Sequence, residues 1–339
     1  MKHYIPPCGI TLEMLSLVAS IAEAVGRIQA SGMDLRLRRI NRIRTIQGSL
    51  AIEGNTLDER QITAILEGKR VAAPPREIQE VKNALAVYEK LPEWDPLREG
   101  DLLAAHGMLM KGLLDSAGRY RRGGVGVMGA NEIVHLAPPA SRVPELMGNL
   151  FQWLAQTDFH PLVASSIFHY EFEFIHPFED GNGRMGRFWQ SLLLYQWSPV
   201  FEHLPIESMV FARQQDYYDA LNHSTQAGDS APFLDFMLRT IEATLEVTPQ
   251  VTPQVTPQVT PQVTPQVEAL LAALRGEMSR GELMAALNLS DRNSFRDRYL
   301  RPALKAGLIE MTIPGKPTSR SQKYRLTETG KQLVGENLQ

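Results

Sequence analysis

Apolar residues recur at helical spacing along most of this chain. Leu35, Leu37, Ile40, Ile43, Ile46 and Leu50 lie two to four residues apart and predict a helix that stops at Gly54-Asn55, two residues that tolerate left-handed backbone. Phe188, Leu192, Leu193 and Tyr195 predict another from Arg184 to Trp197, and Pro161 to Tyr170 reads as the helix before it. Residues 1 to about 95 read as mostly helical. Val125, Val127, Ile133 and His135 instead alternate around Gly129-Ala130-Asn131, the pattern of a β-hairpin.

The C-terminal part changes character. Ser279 to Leu287 reads as a short helix with Ser279 as N-cap and Glu282 three residues on, and Asn293 to Ala306 as a second helix. Leu308 to Ile313 alternates like a strand, Pro314-Gly315-Lys316-Pro317 turns, and Gln322 to Leu326 returns. Helix, turn, helix, hairpin is the winged-helix pattern. The expected fold is therefore mostly α with one small hairpin, followed by a winged helix.

Between these parts, Val247 to Gln266 is five copies of Val-Thr-Pro-Gln. Proline at every fourth position disfavours helix and central strand, so the segment is expected to be an extended spacer. The expected organisation is an N-terminal helical region over 1–95, a core over 96–245, a linker over 246–266 and a winged helix over 267–339. The net charge of −3 hides an asymmetry: the last region carries twelve Lys and Arg against eight Asp and Glu. The lone Cys8 excludes an intramolecular disulfide framework. The start, MKHYIPPCGI, lacks the apolar core of a signal peptide, and no run is long enough to span a bilayer. A cytoplasmic protein without a membrane partner is expected.

The committed chemistry sits in twelve residues, His176-Pro177-Phe178-Glu179-Asp180-Gly181-Asn182-Gly183-Arg184-Met185-Gly186-Arg187. A glycine turn feeding a helix start is an anion site, because free N–H groups and the helix dipole both favour negative charge. Arg184 and Arg187, three apart on one helical face, suit phosphate through their planar forks. Asp180 would repel bare phosphate unless a hard cation such as Mg²⁺ lay between them. His176 has a side chain suited to accepting a proton near neutral pH.

This run resembles the signature of the Fic family (Fido fold), HPFx[D/E]GNGRxxR, and matches it at every fixed position. The resemblance implies transfer of AMP from ATP to a Ser, Thr or Tyr hydroxyl of a target protein, with release of pyrophosphate. It implies His176 as general base, Asp180 as Mg²⁺ ligand, and Gly181, Asn182, Gly183, Arg184 and Arg187 as the phosphate grip. Phe178 would anchor the loop. Glycine at 183, where a kinase-like branch carries lysine, favours adenylylation. Val125 to Pro139 resembles the family's flap, which implies docking of a target segment along Val125, Val127 and Met128. Tyr217-Tyr218 falls in the segment that closes the nucleotide pocket, so either is a candidate adenine contact, with core packing as the alternative role; Tyr218 is the one assigned.

A second motif lies upstream. Ser49-Leu50-Ala51-Ile52-Glu53-Gly54-Asn55 resembles the family's inhibitory motif, [S/T]xxxE[G/N]. A carboxylate at a helix C-terminus opposes the dipole, so Glu53 needs a compensating partner. The resemblance makes that partner Arg187, with the ion pair standing where the γ-phosphate of ATP would sit. Tyr299 to Leu326 is similar to the winged-helix tails of many bacterial Fic proteins; Arg292, Arg296, Arg298, Lys316, Arg320 and Lys323 are its candidate phosphate contacts for DNA, with protein binding as the alternative. The expectation is a self-inhibited protein adenylyltransferase, with a mainly de-adenylylating enzyme or a DNA-binding regulator as alternatives. Self-modification and a homodimer are further expected partnerships.

Overall fold

The computed structural model describes residues 4–31, 35–128 and 133–247, then 265–287, 289, 295–305, 307–312, 322–327, 330 and 331. They form two compact units, split between Pro253 and Gln254.

The first unit is helical because its apolar stripes have nowhere else to go. α1 (Leu12–Ser31) buries Met14, Leu17, Ile21, Val25 and Ile28, one stripe at three- and four-residue spacing, against α11 (Ala231–Val247). α2 (Leu35–Ile52) buries Ile43, Ile46 and Leu50, and Gly54 ends the turn after it with φ +88°. α3 (Glu59–Leu66), α4 (Pro75–Glu89) and α5 (Glu99–Leu109) follow. α3 starts on a capping box, Asp58 with Gln61.

α2 is built into the core. It lies along α9 (Ile206–Ala212), and a Cβ at Gly48 would stand 2.5 Å from the Ser208 nitrogen, so only glycine permits this approach. Asn41 Nδ2 donates to the His203 carbonyl at 2.9 Å, and Ser208 Oγ donates to the Arg44 carbonyl at 2.7 Å.

The centre of the unit is the pair α7 (Pro161–Ile175) and α8 (Asn182–Trp197), which pack on each other along their length. α7 runs unbroken to Ile175, longer than the predicted stretch to Tyr170. Phe168 and Phe172 from α7, and Phe188 and Trp189 from α8, are fully buried there. α6 (Val143–Gln156) and α11 pack on α7, and α10 (Gln214–Ala227) packs on α11. The flap is a two-stranded antiparallel hairpin, β1 (Gly126–Met128) and β2 (Ile133–Leu136), with a register shift between Val127 and Met128. It starts one residue after Val125, and its turn, 129–132, lies outside the described residues.

In the second unit, α12 (Pro265–Ala273) and α13 (Arg280–Ala286) precede a helical stretch ending in α14 (Arg301–Lys305). β3 (Met278–Ser279), β4 (Ile309–Met311) and β5 (Lys323–Leu326) form an antiparallel sheet in the order β3-β5-β4. Leu270, Leu283, Phe295, Ala303 and Leu308 are its buried centre. The predicted Ser279–Glu282 capping box is present.

Several predicted boundaries shift. Both described ends of the Val-Thr-Pro-Gln segment are helical: α11 includes Val247, and α12 begins at Pro265, in the first turn, where a missing N–H costs no hydrogen bond. Residues 248–264 lie outside the described residues. The second predicted tail helix is not uniformly α. Arg296–Leu300 is a π turn, with the Arg301 N–H reaching back to the Arg296 carbonyl. Pro302 explains it, since its ring crowds the preceding turn and it has no N–H to continue the α ladder. Arg292, Lys316 and Arg320 lie outside the described residues.

Candidate active site

The α7–α8 connection is a loop fixed at every step. His176 adopts φ 50°, ψ 61°, and among the described residues no other non-glycine has positive φ. That left-handed step ends α7 and turns the chain back, while the His176 N–H still reaches the Phe172 carbonyl at 2.9 Å. Phe178 is fully buried, its ring stacked on His106 at 3.6 Å between centroids. The Phe178 N–H donates to Asn182 Oδ1 at 2.8 Å, and Asn182 Nδ2 returns to the Phe178 carbonyl at 2.9 Å. Gly181, at φ +84°, caps α8; a Cβ there would stand 2.7 Å from Met110 Sδ.

One sequence reading needs correction here. The Gly-Asn-Gly run is not wholly turn: α8 starts at Asn182, two residues before the predicted start. The Asn182 side chain is spent on Phe178, so it grips the loop and only its backbone faces the anion site. The physical reason is reciprocal amide pairing across a tight loop, which satisfies two backbone groups at once.

The two signature arginines are buried, with side chains only 5 % and 3 % exposed for Arg184 and Arg187. Each charge has an acid partner. Arg187 donates to Glu53 Oε1 at 2.7 Å, to the Ser49 carbonyl at 2.9 Å and to Ser49 Oγ at 3.3 Å. Burial opposes the Arg187 charge, but Glu53 outweighs it and raises the pKa above the ordinary arginine range. Arg184 meets Asp180 Oδ1 at 3.2 Å and Glu80 Oε1 at 3.5 Å. Glu80 in turn accepts from Asn55 Nδ2 at 2.8 Å, so the turn after Glu53 is tied to the partner of the other arginine.

Asp180 accepts from the Gly181 N–H at 2.6 Å, and its Oδ2 faces the exposed Arg76 at 3.3 Å. No cluster of three or more His, Cys, Asp or Glu suited to a metal exists among the described residues. A lone, half-exposed carboxylate fits a Mg²⁺ ion shared with nucleotide phosphates and does not fit a resident metal.

Two buried residues hold the loop from outside, and sequence reading gave them no role. Gly118 donates its N–H to His106 Nδ1 at 2.9 Å, so the proton sits on Nε2, which donates to the Asp180 carbonyl at 3.0 Å. Burial pushes the His106 pKa down to about 4, which keeps it in this neutral tautomer. Arg121, 2 % exposed, donates to the carbonyls of His176 at 2.7 Å, Gly123 at 2.9 Å, Pro138 at 2.5 Å and Ile175 at 3.3 Å. Its own N–H reaches the Pro177 carbonyl at 2.9 Å. It thereby ties the loop to both roots of the flap. With Arg119 and Arg122 beside it, nothing in the sequence singled out Arg121 as the buried one.

Tyr217 and Tyr218 part company. Tyr217 is 1 % exposed and packs on Phe233, its OH against His169 Nε2 at 3.2 Å; this is the core role. Tyr218 is 41 % exposed, its OH donating to the Ile52 carbonyl at 3.4 Å, which sets it beside the end of α2 and open to a ligand. Val125 is half-buried at the foot of β1, and Val127 and Met128 pair in the hairpin backbone with His135 and Ile133.

Residues 96–194 match the Fic/DOC family, and 265–327 match the family described as Filamentation induced by cAMP protein Fic-like, C-terminal domain. The structure is similar to that of a Fic family protein from Desulfovibrio desulfuricans G20, at 52 % identity and a TM-score of 0.74, over 96 % of this chain and 99 % of that one. This chain belongs to the Fic family. Among curated Fic relatives, it is 30 % identical over 213 residues to Protein adenylyltransferase Fic of Nematostella vectensis, covering 59 % of this chain and 47 % of that protein. The chain spans about half the length of the curated relatives it matches. The C. elegans Fic-1 structure (aa134 - 508) is similar at 25 % identity and a TM-score of 0.57, over 70 % of this chain and 72 % of that one. No described helix of this Fic protein is long and apolar enough to cross a membrane.

Proposed function

We propose that this protein is a protein adenylyltransferase held inactive by its own N-terminal helix. The observation that carries the reading is the 2.7 Å ion pair between Glu53 and Arg187 inside an otherwise complete Fic loop. The substrates are ATP and a Ser, Thr or Tyr hydroxyl of a target protein, or of the enzyme itself. His176 takes the hydroxyl proton, the oxygen attacks the α-phosphorus, and pyrophosphate leaves with the electron pair of the broken P–O bond. Arg184, Arg187 and the N–H groups at the start of α8, around Gly183, hold the phosphates. Mg²⁺, when bound at Asp180, neutralises phosphate charge. Tyr218 lies against the adenine side, and the β1 edge, Val125 to Met128, offers backbone groups to a target segment. The arginine already matched to Glu53 is unavailable to a γ-phosphate, which is the inhibition.

The winged-helix tail is proposed as a separate docking domain, for DNA or protein. The pairing of Arg325 with Glu310 at 2.7 Å and Glu277 at 3.5 Å cancels its charge on the described sheet and favours protein. The chemistry is tested by incubating wild type, Glu53→Gly and Glu53→Gly/His176→Ala with α-labelled ATP and Mg²⁺. Label transfer is expected to rise about tenfold or more in Glu53→Gly and to vanish in Glu53→Gly/His176→Ala. Equal labelling of wild type and Glu53→Gly overturns the inhibition reading; labelling that survives His176→Ala overturns the base.

A further inference from the structure

Glu173 is a buried acid with no assigned task. It stands on the last turn of α7, three residues before His176, with its side chain 12 % exposed. The left-handed backbone at His176 swings the imidazole back over that turn. Nδ1 of His176 then lies 3.8 Å from Glu173 Oε2 and is buried, which leaves Nε2 as the nitrogen that can meet a target hydroxyl. The other oxygen, Glu173 Oε1, accepts no hydrogen bond. A Cβ on Gly186 would stand 2.9 Å from that oxygen, so the glycine in the signature's variable position is what admits the carboxyl beneath the loop.

The groups facing Glu173 are few. His169 Nε2 lies 3.8 Å away, but burial drives the His169 pKa down to about 3 and it stays neutral. Arg187 from α8 is the cationic neighbour, already committed to Glu53 from α2, and Tyr217 and Tyr218 from α10 bring no charge at neutral pH. Burial first, then the negative charge of Glu53, lifts the Glu173 pKa to about 8 against the pull of Arg187.

We propose that Glu173 is a positioning residue for the catalytic histidine: it turns Nδ1 inward, and as a carboxylate it balances the imidazolium formed when Nε2 takes the target proton. No proton passes to Glu173; the target proton stays on His176 until product release. This rests on the reading of His176 as the base. Because a neutral acid balances nothing, the benefit appears only as Glu173 ionises. The rate is expected to climb as Glu173 loses its proton, and in the Glu53→Gly background of the assay that rise falls below the region of 8, because the charge that helps lift the Glu173 pKa is gone.

The experiment uses the full chain carrying Glu53→Gly, with and without Glu173→Gln, a change that keeps shape and removes the charge. Single-turnover AMP transfer is followed from pH 6 to 9. At the acid end of the range the two proteins are expected to converge; by pH 9 the parent is expected to exceed Glu173→Gln by about tenfold, with unchanged ATP affinity. Superimposable profiles overturn the proposal, and so does an equal loss at every pH, which would mark a packing role. Glu173→Asp, which keeps the charge on a shorter stem, is expected to retain the alkaline rise at reduced height; a flat profile there overturns it too. His176→Ala is run alongside: activity that survives it defeats the base assignment itself, whereas its loss together with an unchanged Glu173→Gln profile defeats only the pairing.

Discussion

Arg187 and Arg121 are both almost wholly buried, one tying α8 to α2 and the other tying the signature loop to the flap, and they are held by opposite kinds of partner. Arg187, on the phosphate side, answers to a carboxylate at 2.7 Å. Arg121, on the flap side, answers to a cage of backbone carbonyls. A carboxylate can be replaced by a phosphate oxygen of like charge and geometry, so the first contact is exchangeable by design of its chemistry. Main-chain carbonyls belong to the fold and nothing in a nucleotide imitates them. One guanidinium is thus a latch and the other a rivet.

Breaking the rivet has the largest expected effect. Arg121→Met leaves those carbonyls without a donor in a buried place; it is expected to cost about 4 kcal/mol of stability and to abolish AMP transfer even beside Glu53→Gly. Denaturant unfolding with a parallel transfer assay reads both, and wild-type-like unfolding would mean that the cage is incidental. Opening the latch is expected to cost less. Glu53→Gly leaves Arg187 buried without its acid, at about 2 kcal/mol, discounted because Glu53 is 31 % exposed. ATP with Mg²⁺ is expected to return that stability, raising the melting temperature of Glu53→Gly by several degrees more than that of wild type. Equal shifts would sever latch from nucleotide. Ser49→Ala, which removes the 3.3 Å contact to Arg187 and a side-chain contact with Tyr88, is expected to cost about 0.5 kcal/mol and raise basal transfer about twofold. A tenfold rise would move the weight of the latch from Glu53 to Ser49.

The same contrast explains what the sequence made legible. The residues from His176 to Arg187 are contiguous, so their chemistry could be read as one set. Glu53 could be found because Ser49 to Asn55 resembles the family's inhibitory motif, and a carboxylate before Gly-Asn at a helix end fits a need for a partner. Arg121, His106 and Glu173 could not, because their roles exist only where α5, the pre-flap loop and α7 converge. The pairing of the Asn182 side chain with Phe178 could not be read for the same reason: it depends on Phe178 being pinned beneath it. In the tail, the capping box was visible because it is local, whereas the π turn ahead of Pro302 depended on how the chain absorbed a missing donor.

The glycine contact at Gly48 carries a final consequence. α2 and α9 touch backbone to backbone there, with Asn41 and Ser208 stitching either side. Peeling the helix away would tear open the hydrophobic core, so release has to come from the single glutamate at its tip. A side chain that is 31 % exposed can change rotamer without moving the backbone of α2, once another anion takes its place on Arg187. Under the proposed function, control is then a contest of occupancy at one guanidinium, and its set point is expected to follow nucleotide concentration and the tilt of that one side chain.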